Sequence, residues 1–175
     1  GLVPDDFLHP VPLRVVAEAF LALPDCEARL HLKKDRELIA ACAGTKRFGD
    51  LRMIFYRNEL LPEMESQFAA VTWLLPEGTA LITYRGTDTT LVGWKEDFNM
   101  TFQQTIPAQR LAVQYTRDVA LEHLRPMHLG GHSKGGNLAV FAAARSSPMI
   151  QQKILKVYNH DGPGFTEHLM GDPGY

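Results

Sequence analysis

Residues 127–140 read MHLGGHSKGGNLAV, and the fold prediction starts from this stretch. A short apolar run leads into Gly131-His132-Ser133-Lys134-Gly135, and an Ala-rich, helix-forming run follows. Gly-x-Ser-x-Gly between a strand and a helix is typical of a nucleophile elbow, a tight turn that presents a strained serine at the tip of a sheet. The alternative is a glycine-rich turn whose serine simply caps the helix. We interpret Ser133 as a nucleophile.

The bulk composition is that of a soluble globular domain. The chain has 175 residues, of which 45% are hydrophobic and 22% charged, so one domain with a substantial core is expected. A formal net charge of −2 gives no electrostatic reason to expect nucleic acid or an anionic membrane as a partner. The sequence shows no apolar run long enough to cross a bilayer and no signal peptide.

Cysteine and histidine usage predicts neither a disulfide nor a metal site. We interpret Cys26 and Cys42 as reduced packing residues, which favours a cytoplasmic protein. His128 and His132 lie four residues apart, but no third metal ligand accompanies them. No cofactor is expected.

The remaining pattern predicts alternating strands and helices. Helices are expected from residue 13 to the proline at 24, over 35–43 and over 107–123. Strands are expected over 50–56, over 67–75 and 79–84 as a hairpin, and over 154–158. This order implies an α/β sheet with parallel crossovers in its second half. We expect residues 1–47 to form a helical segment that packs on a core of residues 48–175.

A second corner of the chain has the residues needed beside a reactive serine. Acyl transfer needs backbone N–H donors for an oxyanion, and the first should be that of Lys134, directly after the serine. The second usually comes from an earlier strand-to-loop corner. Thr87 ends such a corner, where Gly86 lets the backbone approach closely. The alternative is an ordinary strand end with a polar turn.

Three segments together carry a family resemblance. Residues 83–87 (TYRGT), 93–97 (GWKED) and 130–136 (GGHSKGG) resemble the class 3, fungal-type lipases of the α/β-hydrolase superfamily. More closely, RGTD, GWKEDFNM, GHSKGGNLA and DGPGF are similar to an uncharacterised bacterial lipase-like family, over about residues 48–165. The resemblance implies an α/β-hydrolase-type, mostly parallel sheet flanked by helices. It also implies that Ser133 is the nucleophile, that Thr87 and Lys134 are the oxyanion residues, and that residues 89–93 occupy the place of the lid.

The catalytic acid is expected at Asp161. This residue follows the strand after the nucleophile helix and stands on a Gly-Pro-Gly turn, one of the two places where α/β-hydrolases carry their acid. In one alternative, Asp161 merely hydrogen-bonds its own turn. In another, Asp97 is the acid, although a pair with Arg85 that braces the corner fits Asp97 better.

The base is missing from the expected order of serine, acid and histidine. His160 adjoins Asp161, so the two side chains diverge, and His168 follows Asp161 too closely. His132 belongs to the elbow and is expected to point into the structure. We therefore expect the histidine to lie beyond Tyr175, so that residues 48–175 form an incomplete core with little esterase activity. The strand over 154–158 would then be an exposed apolar edge through which chains self-associate.

Two functions follow from this pattern. The first is a serine hydrolase of the lipase or esterase type, acting on a small-molecule or lipid carboxylic ester. The second is a hydrolase-shaped non-enzyme that uses its pocket for binding. Several aromatic or apolar residues fit either an acyl pocket or the core: Trp94, Phe98, Met100 and Phe102. The side chain of Lys134 is expected to make the mouth of the site polar.

Overall fold

A computed structural model describes residues 1–30, 32, 34–64, 66–87, 93, 95, 99, 105–165 and 171. The N-terminal part contains β1 (Val11–Pro12), α1 (Leu13–Leu21), α2 (Cys26–Arg29), α3 (Asp35–Gly44) and α4 (Lys46–Gly49). Next come β2 (Arg52–Leu61), a 3-10 turn (Pro62–Met64), β3 (Ser66–Leu74) and β4 (Ala80–Tyr84). The second half contains α5 (Pro107–Glu122), β5 (Met127–His132), α6 (Lys134–Arg145), α7 (Pro148–Gln151) and β6 (Ile154–His160).

The described strands form one six-stranded mixed sheet in sequence order, so the α/β class is confirmed. The expectation of a mostly parallel sheet is wrong. The pairs from β1 to β4 are antiparallel, and only the β4–β5 and β5–β6 pairs are parallel. Residues 62–65 and 75–79 are too short to carry a strand back to the same end of the sheet, so β2, β3 and β4 must form hairpins. The predicted parallel crossovers in the second half are confirmed.

Most predicted elements are present, and most of the differences lie in the N-terminal half. Strand β1 and helices α2 and α4 were not predicted, and β2 continues to Leu61 instead of ending at residue 56. The pairing of β2 with β3 shifts register between Ile54 and Arg57, and Phe55 has a φ of 50°. Such a bulge interrupts the alternation of apolar and polar residues, which is why the sequence pattern stops there. The division into residues 1–47 and 48–175 stays a prediction.

The core lies between strands β2–β5 and helices α5 and α6. Ile82 and Leu129 of the central strands are fully buried, as are Ala112 of α5 and Leu138 of α6. Burial of these side chains supplies the main driving force for docking the two helices on the sheet. The helices are thereby fixed against β4 and β5, the two strands that lead into the glycine-rich corners.

Strand β6 forms one edge of the described sheet, because it pairs with β5 on one side only. Leu155 and Tyr158 on this strand are 52% and 42% exposed. An exposed apolar edge strand is a template for pairing with another chain. Self-association through β6 stays a prediction. None of the helices in the described ranges has both the length and the apolar character that a membrane span requires.

Candidate functional site

Ser133 stands at the bend between β5 and α6 with a backbone conformation that L-residues rarely adopt. Its φ is 54° and its ψ is −129°, and its side chain makes no capping hydrogen bond to the helix. Backbone strain of this kind is retained where the surrounding structure holds it, typically at functional sites. The predicted strained turn is confirmed, and the simple helix cap is excluded because the serine does not cap.

Glycines at two positions allow this turn to close. A Cβ atom on Gly131 would lie 2.3 Å from the carbonyl carbon of Gly135, and a Cβ atom on Gly135 would lie 2.2 Å from the carbonyl oxygen of Tyr84. Both separations are far below any carbon contact that proteins tolerate, and backbone rather than a flexible side chain is in the way. The Gly-x-Ser-x-Gly pattern therefore reflects a three-way approach of β4, β5 and α6.

The strained backbone of Ser133 leads to a test by thermal unfolding. Glycine adopts this backbone conformation freely, so Ser133→Gly removes a strain of about 1–3 kcal/mol. Glycine also makes the unfolded chain more flexible, which offsets part of this stabilisation. We expect a net stabilisation of about 1 kcal/mol, which raises Tm by about 2–4 °C in a domain of this size. A lower Tm, the usual effect of glycine in place of serine, would contradict the strained elbow.

The corner after β4 lies directly against the elbow. A Cβ atom on Gly86 would lie 2.9 Å from the carbonyl oxygen of His132 and 3.6 Å from Cβ of Ser133. Parallel pairing of Tyr84 with Gly131 aligns the carboxyl ends of the two strands. Gly86, Thr87 and Ser133 line the same cleft. The corner thus meets the elbow at Gly86, and the role of Thr87 in an oxyanion hole stays a prediction.

A buried tyrosine anchors this corner to the core. The hydroxyl of Tyr84 hydrogen-bonds the hydroxyl of Thr116 and the carbonyl oxygen of Ala112, both on α5. Complete burial raises the pKa of Tyr84 far above its usual value, so the phenol stays neutral at physiological pH. The end of β4 is thus fixed one residue before the exposed Arg85 and two before Gly86.

Lys134 lies in the first turn of α6, but its side chain does not face the mouth of the site. The ammonium Nζ donates to the carbonyl oxygen of Gln67 at 2.8 Å and to the side-chain Oε1 of Gln67 at 3.3 Å. The side chain is 1% exposed. The expectation that it makes the mouth polar is wrong, because the side chain is buried and points toward Gln67 on β3. Its backbone N–H belongs to the first turn of α6, at the positive end of the helix dipole.

Asp161 follows the strand residue whose carbonyl oxygen is bonded to the backbone of Ser133. The backbone N–H of Ser133 donates to the carbonyl oxygen of His160 at 2.9 Å. Asp161 is exposed and has a φ of 55°. It is the second non-glycine residue with a positive φ at the carboxyl ends of β5 and β6, after Ser133. The side chain of Asn159 accepts from the N–H of Gly162 at 2.9 Å and closes the turn. Ser133 and Asp161 thus follow neighbouring, paired strands, and the role of Asp161 as the acid stays a prediction.

The described histidines do not complete a triad. His132 is exposed and lines the cleft, so the expectation that it points into the structure is wrong. His128 packs against Tyr158 within the sheet, and His160 is exposed. Among the described residues, no hydrogen bond joins a histidine side chain to Ser133 or Asp161.

Several predicted site residues lie outside the described residues. These are His168, Asp97, most of the predicted lid at 89–93, and the candidate pocket residues Trp94, Phe98, Met100 and Phe102.

The cleft over Ser133 has a volume of about 880 Å³ and an unforeseen wall. One side is the elbow and the Gly86–Thr87 corner, and the other is formed by α1, α2 and α3. Apolar side chains make up most of that second side: Phe20, Ala28, Leu30, Leu32, Leu38 and Ile39. Arg29, Asp35 and Arg85 also line the cleft. The sequence offered no signal for this wall, because the apolar face of the helix over 35–43 was interpreted only as a packing face.

Comparison with known families covers most of the chain. The Mbeg1-like family model matches residues 42–175, which include the elbow, the corner and the Asp161 turn. The apolar wall of the cleft lies before the matched residues. Comparison with curated proteins and with solved structures gives no match. Because the match spans well over half of the sequence, the chain belongs to the Mbeg1-like family.

Proposed function

We propose that this protein is a serine hydrolase of the lipase or esterase type, built on an α/β-hydrolase-type fold and acting on carboxylic esters. The observation that carries the proposal is the backbone of Ser133, which is strained at a strand-to-helix turn and lies against the Gly86–Thr87 corner. A purely structural turn would not be expected to keep a strained serine that lines a cleft instead of capping the helix.

Each residue has a role in the proposed mechanism. The Oγ of Ser133 attacks the ester carbonyl, and the backbone N–H groups of Lys134 and Thr87 stabilise the resulting oxyanion. Asp161 orients a histidine base and stabilises its protonated form. The base accepts the proton from Ser133 and then gives it to the leaving alcohol. Water next attacks the acyl-serine with help from the same base, which releases the acid and regenerates Ser133.

A second candidate function is binding without catalysis in the same cleft. The observation that favours it is that, among the described residues, no histidine side chain hydrogen-bonds Ser133 or Asp161. Both functions place an ester or a related apolar ligand against α1–α3. They differ in whether Ser133 forms a covalent bond.

The apolar wall predicts a dependence on acyl chain length in the full-length protein. Leu38→Ala removes apolar surface from the cleft, so kcat/KM for p-nitrophenyl octanoate should fall about tenfold, whereas that for p-nitrophenyl acetate should change by less than about twofold. Turnover of the two esters by each variant measures the effect.

Leu121→Ala is the matched control for this prediction. Leu121 on α5 is 53% exposed and Leu38 is 61% exposed, but Leu121 does not line the cleft. Equal losses in the two variants would contradict the role of α3 as an acyl-binding wall. Absence of ester turnover that depends on Ser133, in the unchanged protein, would refute the hydrolase and leave the binding function.

A further inference from the structure

Two buried amide side chains link the nucleophile helix to the turn that carries Asp161. Gln109 on α5 is 5% exposed and Asn137 on α6 is 1% exposed. The Nε2 of Gln109 donates to Oδ1 of Asn137 at 2.9 Å. The Nδ2 of Asn137 donates to the carbonyl oxygen of Pro163 at 3.0 Å and to that of Gly164 at 3.4 Å.

Backbone groups at both ends fix the direction of this amide chain. The N–H of Ile106 can only donate, and it donates to Oε1 of Gln109 at 3.1 Å. The carbonyl oxygens of Pro163 and Gly164 can only accept, so they require the NH₂ group of Asn137. With both ends determined, one orientation of the two amides satisfies every bond. A buried polar chain that is satisfied in one arrangement holds its partners in that arrangement.

The backbone of Asn137 is also hydrogen-bonded to the backbone of Ser133. Its backbone N–H approaches the carbonyl oxygen of Ser133 at 3.3 Å, within the first turn of α6. A Cβ atom on Gly162 would lie 2.7 Å from the backbone nitrogen of Asn137, so the turn after Asp161 is seated directly on this residue. One residue therefore contacts the backbone of Ser133 through its main chain and the Asp161 turn through its side chain.

We infer that Asn137, supported by Gln109, is a positioning residue that sets the Asp161 carboxylate relative to Ser133. This inference rests on the proposed hydrolase function. Asp161 is exposed and strained, so the bonds from Asn137 to Pro163 and Gly164 add to the Asn159–Gly162 bond in holding its turn. Asn137 does not touch the substrate and acts through the acid.

A double-mutant cycle on the full-length protein tests this inference with p-nitrophenyl butyrate. Asn137→Ala should lower kcat about 30-fold or more and change KM by less than about threefold, because it displaces the acid without altering the cleft. In an Asp161→Asn background the same substitution should lower kcat by less than about threefold, because both changes act through one carboxylate. Losses that multiply in the double variant would overturn the positioning role.

Gln151→Ala is the matched structural control. The Nε2 of Gln151 donates to the carbonyl oxygens of Ala143 and Ala144 at 3.0 and 3.1 Å, the same type of bond at the opposite end of α6. We expect this variant to lose stability without a comparable loss of kcat. If it loses kcat as much as Asn137→Ala does, the effect is general loosening of α6 and the inference fails.

The remaining outcomes separate the inference from the proposed function. If Asn137→Ala does not fold, Gln109→Ala should show a smaller loss of kcat, about fivefold, with the same lack of additivity with Asp161→Asn. Multiplicative losses in a protein whose turnover depends on Ser133 would overturn the positioning role and leave the hydrolase intact. Absence of turnover that depends on Ser133 would remove the hydrolase and the positioning role together.

Discussion

Ser133→Ala is expected to lower kcat/KM for p-nitrophenyl butyrate by about 10⁴-fold or more in the full-length protein, because the acyl-serine can no longer form. The residual rate would come from the oxyanion donors and from binding alone. The measurement is turnover at equal concentrations of the two proteins, with spontaneous hydrolysis subtracted.

The same substitution should leave the stability almost unchanged. The hydroxyl of Ser133 does not cap α6, so its removal breaks no capping bond. We expect Tm to change by no more than about one or two degrees, as is usual for a substitution without a buried partner. A variant with normal turnover would remove Ser133 as the nucleophile. A variant that unfolds would show that Ser133 is part of the structural core instead.

Asp161→Asn is expected to lower kcat by about 10³- to 10⁴-fold, the effect of removing the charge that orients and stabilises a histidine base. Because asparagine has nearly the same shape and Asp161 is exposed, the turn should survive. His160→Ala serves as the control, since the backbone carbonyl of His160, not its side chain, is bonded to Ser133. Steady-state kinetics with p-nitrophenyl butyrate distinguishes the two variants.

The comparison has a clear contradictory outcome. If Asp161→Asn changes kcat no more than about threefold, the carboxylate only supports its own turn. If His160→Ala shows the larger loss, the base is His160, and the neighbouring side chains meet across the turn rather than diverging.

Local patterns predicted the elbow well. The geometry of Ser133 depends on glycines within two residues and on the strand and helix at each side, all of which can be read along the chain. The approach of the Gly86–Thr87 corner to the elbow was predictable for the same reason, since Gly86 directly precedes Thr87. The turn at Asp161 was also predictable, because Gly162, Pro163 and Gly164 are typical turn residues.

Long-range packing explains what the sequence pattern missed. The direction of the Lys134 side chain depends on Gln67, which lies 67 residues earlier. The exposure of His132 depends on the position of the end of β5 relative to the cleft. Residues next to His132 in the sequence do not specify that position. The hairpin of β3 and β4 was predicted, but the antiparallel pairing of β2 with β3 was not, although the short connection between them requires it. The apolar wall depends on where α1–α3 dock, and amphipathic spacing does not specify a docking site.

Covalent labelling of the full-length protein with a fluorophosphonate, followed by mass mapping of the modified peptide, tests directly whether Ser133 is a nucleophile. We expect one phosphonyl adduct, located on Ser133, and no adduct in Ser133→Ala. An adduct on another serine, such as Ser146 or Ser147, or no adduct under conditions that label a known serine hydrolase, would contradict the assignment of Ser133 as a catalytic nucleophile.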